Sequence, residues 1–243
     1  MAEALLWGLV AGSSLLVGGA LALTVSISRL ALGLIMAFGA GVLISAVAYD
    51  LVEEAVDTSA GDGGVALGLF AGALTFFAGD AIIDRLGGAG RKDSGGAQAD
   101  GSAPAIVLGI VLDGIPETAV IGLSLLGGDG VSTAVIVAVF ISNVPESIAA
   151  TSGLSASGWR PARVMALWAG VGLVCALAAP AGYGLFDDAS GSSVAFVQAF
   201  AGGAILTMLA DTMMPEAFEH GGRLVGLATT LGFALAFAIS ALE

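Results

Sequence analysis

Apolar residues run along the chain in long stretches, broken by short clusters of charge, glycine or serine. A helix needs about 20 apolar residues to cross a bilayer. The pattern predicts eight such helices, at about 4–27, 31–52, 64–84, 104–126, 131–153, 162–186, 194–217 and 222–242. Pro104 and Pro161 stand at helix starts, where a missing N–H costs nothing. The longest connection, 85–103, is rich in glycine and serine and carries Arg91, Lys92, Asp93 and Asp100. It reads as a flexible loop between the third and fourth helices.

Composition sharpens this to an all-α, polytopic membrane protein. Of 243 residues, 57% are hydrophobic and only 11% charged, against roughly 25% charged in a soluble domain. Mean hydropathy is +1.00. Thirty-eight glycines suit helices whose backbones approach closely. A net charge of −13 argues against a nucleic-acid partner. The single cysteine, Cys175, cannot form an internal disulfide. The start, Met1-Ala2-Glu3, lacks the basic residues of a cleaved signal peptide, so the first apolar run reads as a retained helix.

With eight spans, all seven basic residues fall on one side: Arg29, then Arg85, Arg91 and Lys92, then Arg160 and Arg163, then Arg223. The positive-inside rule makes that side cytoplasmic and puts both termini outside. Opposite loops carry only acids, among them Glu53, Glu54, Asp57, Asp62, Asp129, Asp187 and Asp188.

The second and seventh helices share a pattern. Residues 37–45 read Ala-Phe-Gly-Ala-Gly-Val-Leu-Ile-Ser, and 199–207 read Ala-Phe-Ala-Gly-Gly-Ala-Ile-Leu-Thr. The register holds to Glu54-Ala55 and Glu216-Ala217. The two helices run in opposite directions, which is the mark of an inverted repeat with helices 1–3 and 6–8 as halves and 4–5 at the centre.

The chemistry concentrates near mid-membrane. Helix 4 carries Asp113-Gly114-Ile115-Pro116-Glu117-Thr118, and helix 5 carries Ser142-Asn143-Val144-Pro145-Glu146-Ser147. The helices are antiparallel and joined by a turn around Gly127 to Gly130, so the motifs can face one another. Asp113 and Glu117 share a helix face, as do Ser142 and Glu146. Pro116 frees the carbonyl of Leu112 and Pro145 that of Ile141. Carboxylates, a hydroxyl, an amide and loose carbonyls make an oxygen set suited to a divalent cation. Each central acid costs about 2.5–3.5 kcal/mol to insert, so three call for protonation, hydration or a bound metal. The spans put no arginine or lysine at that depth to neutralise them.

On these residues the chain resembles the ZIP family (Zrt/Irt-like proteins) of divalent metal transporters. Pro116-Glu117 and Pro145-Glu146 match its helix-4 and helix-5 signatures, and Phe38-Gly39-Ala40-Gly41-Val42-Leu43 is similar to its helix 2. The resemblance implies eight helices in a 3+2+3 inverted-repeat bundle with both ends outside. It implies a metal position at Asp113, Glu117, Ser142 and Glu146, with Asp113 and Ser142 standing where the family has other side chains, histidine among them. A second position in the family falls here on Gly114 and Asn143, with no acid on helix 6, which leaves one main site. Without histidines, the all-oxygen set opens the cargo to zinc, iron or manganese.

Other acids mark the ends of a path. Asp50, Glu53 and Glu54 are entrance candidates; Asp211, Glu216 and His220 are exit candidates. Asp80 and Asp84 read as a cytoplasmic helix end. The expected activity is inward transport of a divalent metal by alternating access, the repeats rocking about the site, rather than an enzyme. Partners are the metal, the lipid bilayer and, compatibly, a second copy in a homodimer. The setting is a cell membrane, crossed many times. Two alternatives stand beside it. One is an intramembrane hydrolase using two acids as a dyad; Tyr49-Asp50 resembles half of an intramembrane aspartyl protease motif, but Phe77-Ala78-Gly79-Asp80 departs from the Gly-x-Gly-Asp of the other half. The other is a proton-coupled carrier of a small organic solute.

Overall fold

The structure, a computed structural model, describes every residue except 60, 62, 96, 128–130 and 243. Asp62, Asp129 and most of the turn between the fourth and fifth helices therefore lie outside the described residues. The rest is helical, with no strand among the described residues. The long helices are α1 (Ala2–Thr24), α2 (Arg29–Thr58), α3 (Gly64–Gly88), α4 (Ala103–Ser124), α5 (Thr133–Ala156), α6 (Pro161–Phe186), α7 (Gly191–Gly221) and α8 (Leu224–Ser240). Seven are long and apolar enough to span a membrane. The eighth has 17 residues and rises about 25 Å, close to the hydrocarbon thickness. The protein is a polytopic, all-α membrane protein.

Local chemistry sets several boundaries. Ser28, Ser132 and Ser190 accept hydrogen bonds from the backbone N–H of Ala31, Val135 and Ser193, capping α2, α5 and α7. Pro161 opens α6 as the sequence implied. Helix α2 runs on to Thr58, beyond the expected end at 52, because a π-helical turn at Val47–Glu53 carries it past Asp50. A second π-turn, Leu209–Met213, falls at the matching place in α7. A π-turn rotates the next stretch of helix relative to the one before it, and such turns are frequent at functional sites.

The inverted repeat is visible in the packing. Carbonyl oxygens of one helix nest on glycines of the next: Thr229 on Gly41 and Phe38 on Gly232 between α2 and α8, Leu69 on Gly203 and Phe200 on Gly72 between α3 and α7. Phe38 and Gly41 are the repeat counterparts of Phe200 and Gly203. A methyl group at any of these four glycines would overlap a carbonyl oxygen. Gly12 of α1 and Gly172 of α6 meet likewise.

Two four-helix groups result. Helices α1, α4, α5 and α6 pack on one another, as do α2, α3, α7 and α8; α2 meets α5 and α4 meets α7 across the junction. Each group mixes helices of both repeats, so the packed units are not the repeats themselves. The motifs of α4 and α5 lie at this junction.

Candidate functional site

The connection between α3 and α4 enters the bundle. Gly87 and Gly90 adopt left-handed conformations (φ 97° and 69°), open to glycine without strain. They turn the chain back under α3, and the Ser102 backbone N–H bonds the Gly87 carbonyl at 2.9 Å. Arg91 and Lys92 are thereby delivered inward and are only 3% and 6% exposed. Gly109 of α4 makes room: a methyl group there would collide with the Arg91 side-chain stem.

Both cations land on the predicted site. Arg91 donates through Nε and Nη2 to the two carboxylate oxygens of Asp113, each at 2.9 Å, a bidentate pair. Its Nη2 also bonds Asp80, and Nη1 lies 3.6 Å from Asp84 Oδ1. Lys92 Nζ sits 3.3 Å from Asp113 Oδ2 and 3.2 Å from Glu146 Oε1, and donates to Thr212 Oγ1 at 3.3 Å. The expectation that no basic residue reaches this depth is overturned. So is the reading of 85–103 as a flexible loop throughout, because Arg91 to Ser94 fold against the site. Buried acids attract these cations, and the glycine turns let the chain comply. Burial opposes both charges, but the carboxylates prevail. Asp113, then Asp80, hold Arg91 above its ordinary range, and Asp113 and Glu146 do the same for Lys92.

The remaining motif residues divide. Glu117 is fully buried, and neither carboxylate oxygen has a hydrogen-bond partner. Ser142 is buried and donates to the Val139 carbonyl at 3.0 Å; Asn143 donates to the Ala11 carbonyl of α1 at 3.4 Å. Gly114 backs onto Cys175 of α6, whose sulfur a methyl group would strike. A cavity of about 10 Å³, room for one water, adjoins Asp113, Asn143, Glu146 and Lys92. Among the described residues, no three His, Cys, Asp or Glu side chains converge on one ion position. The place between Asp113 and Glu146 holds the Lys92 ammonium.

The exit candidates gather beside the Arg91–Ser94 segment. Glu216 accepts from the Ser94 backbone N–H at 3.0 Å and lies 3.0 Å from His220 Nε2, which is 2.7 Å from Ser94 Oγ. Asp211 is exposed and, with Asp80, Asp84, Asp93, Glu216 and Glu219, lines a cavity of about 240 Å³. The entrance candidates stand apart from this cluster. Asp50 accepts from Ser132 and Ser240, both at 3.3 Å, tying α2 to the start of α5 and the end of α8. Glu53 is exposed and Glu54 half-buried. Asp50 thus bonds Ser132 and Ser240, whereas Asp80 bonds Arg91.

Sequence reasoning missed Asp80, Arg91, Lys92, Ser94 and Thr212. The signal was present: an Arg-Lys pair framed by glycines, next to buried acids that lacked a counter-charge.

No family model matches the chain. A putative zinc transporter of Arabidopsis thaliana is 30% identical over 215 residues, covering 86% of this chain and 34% of that protein. The chain thus spans about a third of the length of the curated relative it matches.

Proposed function

We propose that the chain moves divalent metal ions across the membrane, in the manner of ZIP-family carriers, through the carboxylate site between α4 and α5. The observation that carries this reading is the cation held between Asp113 and Glu146. Asp113, four residues before Glu117 on α4, and Glu146 of the α5 Pro-Glu pair stand so that one positive centre touches both. Glu117, buried without a partner, supplies a further pair of oxygen donors. Ser142 retains hydroxyl lone pairs within the same motif.

An all-oxygen set suits manganese or iron as well as zinc; the name of the Arabidopsis relative favours zinc. The basic residues at the helix ends support an orientation with both termini outside, and the transport proposed for that orientation is inward. Cargo passes from the site to the acidic cavity lined by Asp211 and Glu216. Alternating access arises from movement of the four-helix groups against each other, with the site at their junction. The chain's own work is binding and positioning, with no bond made or broken.

Uptake of manganese and zinc into proteoliposomes tests this. Wild-type protein carries both ions or one of them, and Glu117→Ala and Glu146→Ala abolish the flux. Unchanged flux in both variants would overturn the assignment.

A further inference from the structure

We infer that Arg91 to Ser94 form a strap that locks the two four-helix groups together and is released when a divalent cation takes the place of Lys92. The inference rests on the transport reading for its physiological meaning, but its geometry stands independently.

The strap makes contacts on both sides of the junction. On one side it holds Asp113 of α4 and Glu146 of α5. On the other it holds Asp80 and Asp84 of α3 and Thr212, Glu216 and His220 of α7. The first two helices belong to one packed group and the last two to the other. A relative displacement of the groups must therefore break charge pairs that are almost wholly buried.

A divalent ion and the seated strap exclude each other. Carboxylate oxygens ligate such ions at about 2.0–2.6 Å. Lys92 Nζ already lies 3.2–3.3 Å from an oxygen of both acids, in the space the ion needs. An ion bound there would also repel the ammonium through a water-poor interior. Occupancy by cargo thus expels Lys92, and with it the bonds of Ser94 to α7 loosen. Cation binding and unlocking are two faces of one competition, so each weakens what opposes the other. The small cavity beside Asn143 has room for a water and none for a displaced lysine side chain; the strap leaves through the 240 Å³ acidic cavity it borders.

Limited trypsin digestion of the detergent-purified wild-type protein tests this, because trypsin cuts after Arg91 and Lys92. Without divalent ions, cutting at these bonds is slow; with saturating manganese it accelerates at least about tenfold, while cutting after Arg163 is unchanged. Lys92→Gln binds manganese about tenfold more tightly than wild type and is cut after Arg91 with or without the ion. Where Lys92→Gln fails to fold, Arg91→Gln serves in its place and is cut after Lys92 with or without the ion. Manganese binding with no change in cutting overturns the strap, as does Lys92→Gln with unaltered affinity. A strap that responds in a protein showing no metal flux leaves the strap standing and overturns the transport reading. Flux that requires Glu117 and Glu146 with an unresponsive strap does the reverse.

Discussion

Lys92 and Glu146 are 54 positions apart in the chain, yet their charged ends lie 3.2 Å from each other, both nearly out of reach of solvent. A side chain from a hydrophilic connection thus completes a charge cluster begun by two spanning helices. The energetic consequence is asymmetric. A buried ion pair adds little net stability over an apolar replacement, but loss of one partner strands the other.

Asp113→Asn exposes that asymmetry. It leaves Arg91 and Lys92 short of the acid they share and destabilises the fold by about 3–5 kcal/mol. Combining it with Lys92→Met recovers part of the loss. Thermal unfolding in detergent of the two single variants and the double variant reads the coupling; strictly additive losses would contradict it.

Glu117→Gln behaves differently because its carboxylate has no partner to lose. Stability is little changed, since glutamine puts a group of nearly the same shape in place of a carboxyl that makes no hydrogen bond. Metal uptake is nonetheless lost. Melting temperature and flux measured on the same preparation separate these effects, and a variant that is both unstable and inactive would argue against the assignment.

Gly109→Ala keeps every charge and removes only the space that the Arg91 stem occupies. The displaced guanidinium lengthens its bonds to Asp113 and Asp80, at a cost of about 1–3 kcal/mol. Faster tryptic cutting after Arg91 in the metal-free protein is the expected sign; wild-type cutting would show that the stem re-routes freely.

Gly41→Ala and Gly203→Ala make a matched pair. Each sets a methyl group against a carbonyl oxygen, Thr229 in one case and Leu69 in the other. Both lower stability by a similar amount, about 1–3 kcal/mol. Gly226→Ala is the control, because nothing lies within 4 Å of the added methyl. Unfolding midpoints that rank Gly226→Ala with the other two would rule out a role for these glycines in setting helix spacing.

Long apolar runs made eight helices legible from the sequence, and the Pro-Glu motifs of α4 and α5 marked the candidate site. The repeat was readable too, because Phe38 and Gly41 have counterparts in Phe200 and Gly203. The four-helix grouping was not readable: hydropathy gives a helix its length but says nothing of which neighbour its small residues meet. Nor was the strap. A glycine-rich, charged stretch has the composition of a solvated linker, and only the long-range attraction of Asp80, Asp113 and Glu146 for Arg91 and Lys92 gives it a place. The π-turns escaped as well, since no residue pattern around Asp50 or Asp211 announces an extra residue in the turn.

The burial of Arg91 and Lys92 has a consequence for biogenesis. While a membrane protein is being inserted, basic residues in short connections hold their segment on the cytoplasmic side. Four of the chain's seven bases are spread over Arg29, Arg160, Arg163 and Arg223, and three fall at the end of α3 and in its connection to α4. Two of those three later leave the aqueous phase. In the proposed orientation the same pair serves twice: first as topogenic charge on an unfolded segment, then as internal counter-ions. Replacing both leaves Arg85 alone to retain that connection, so such a variant tests insertion as well as transport.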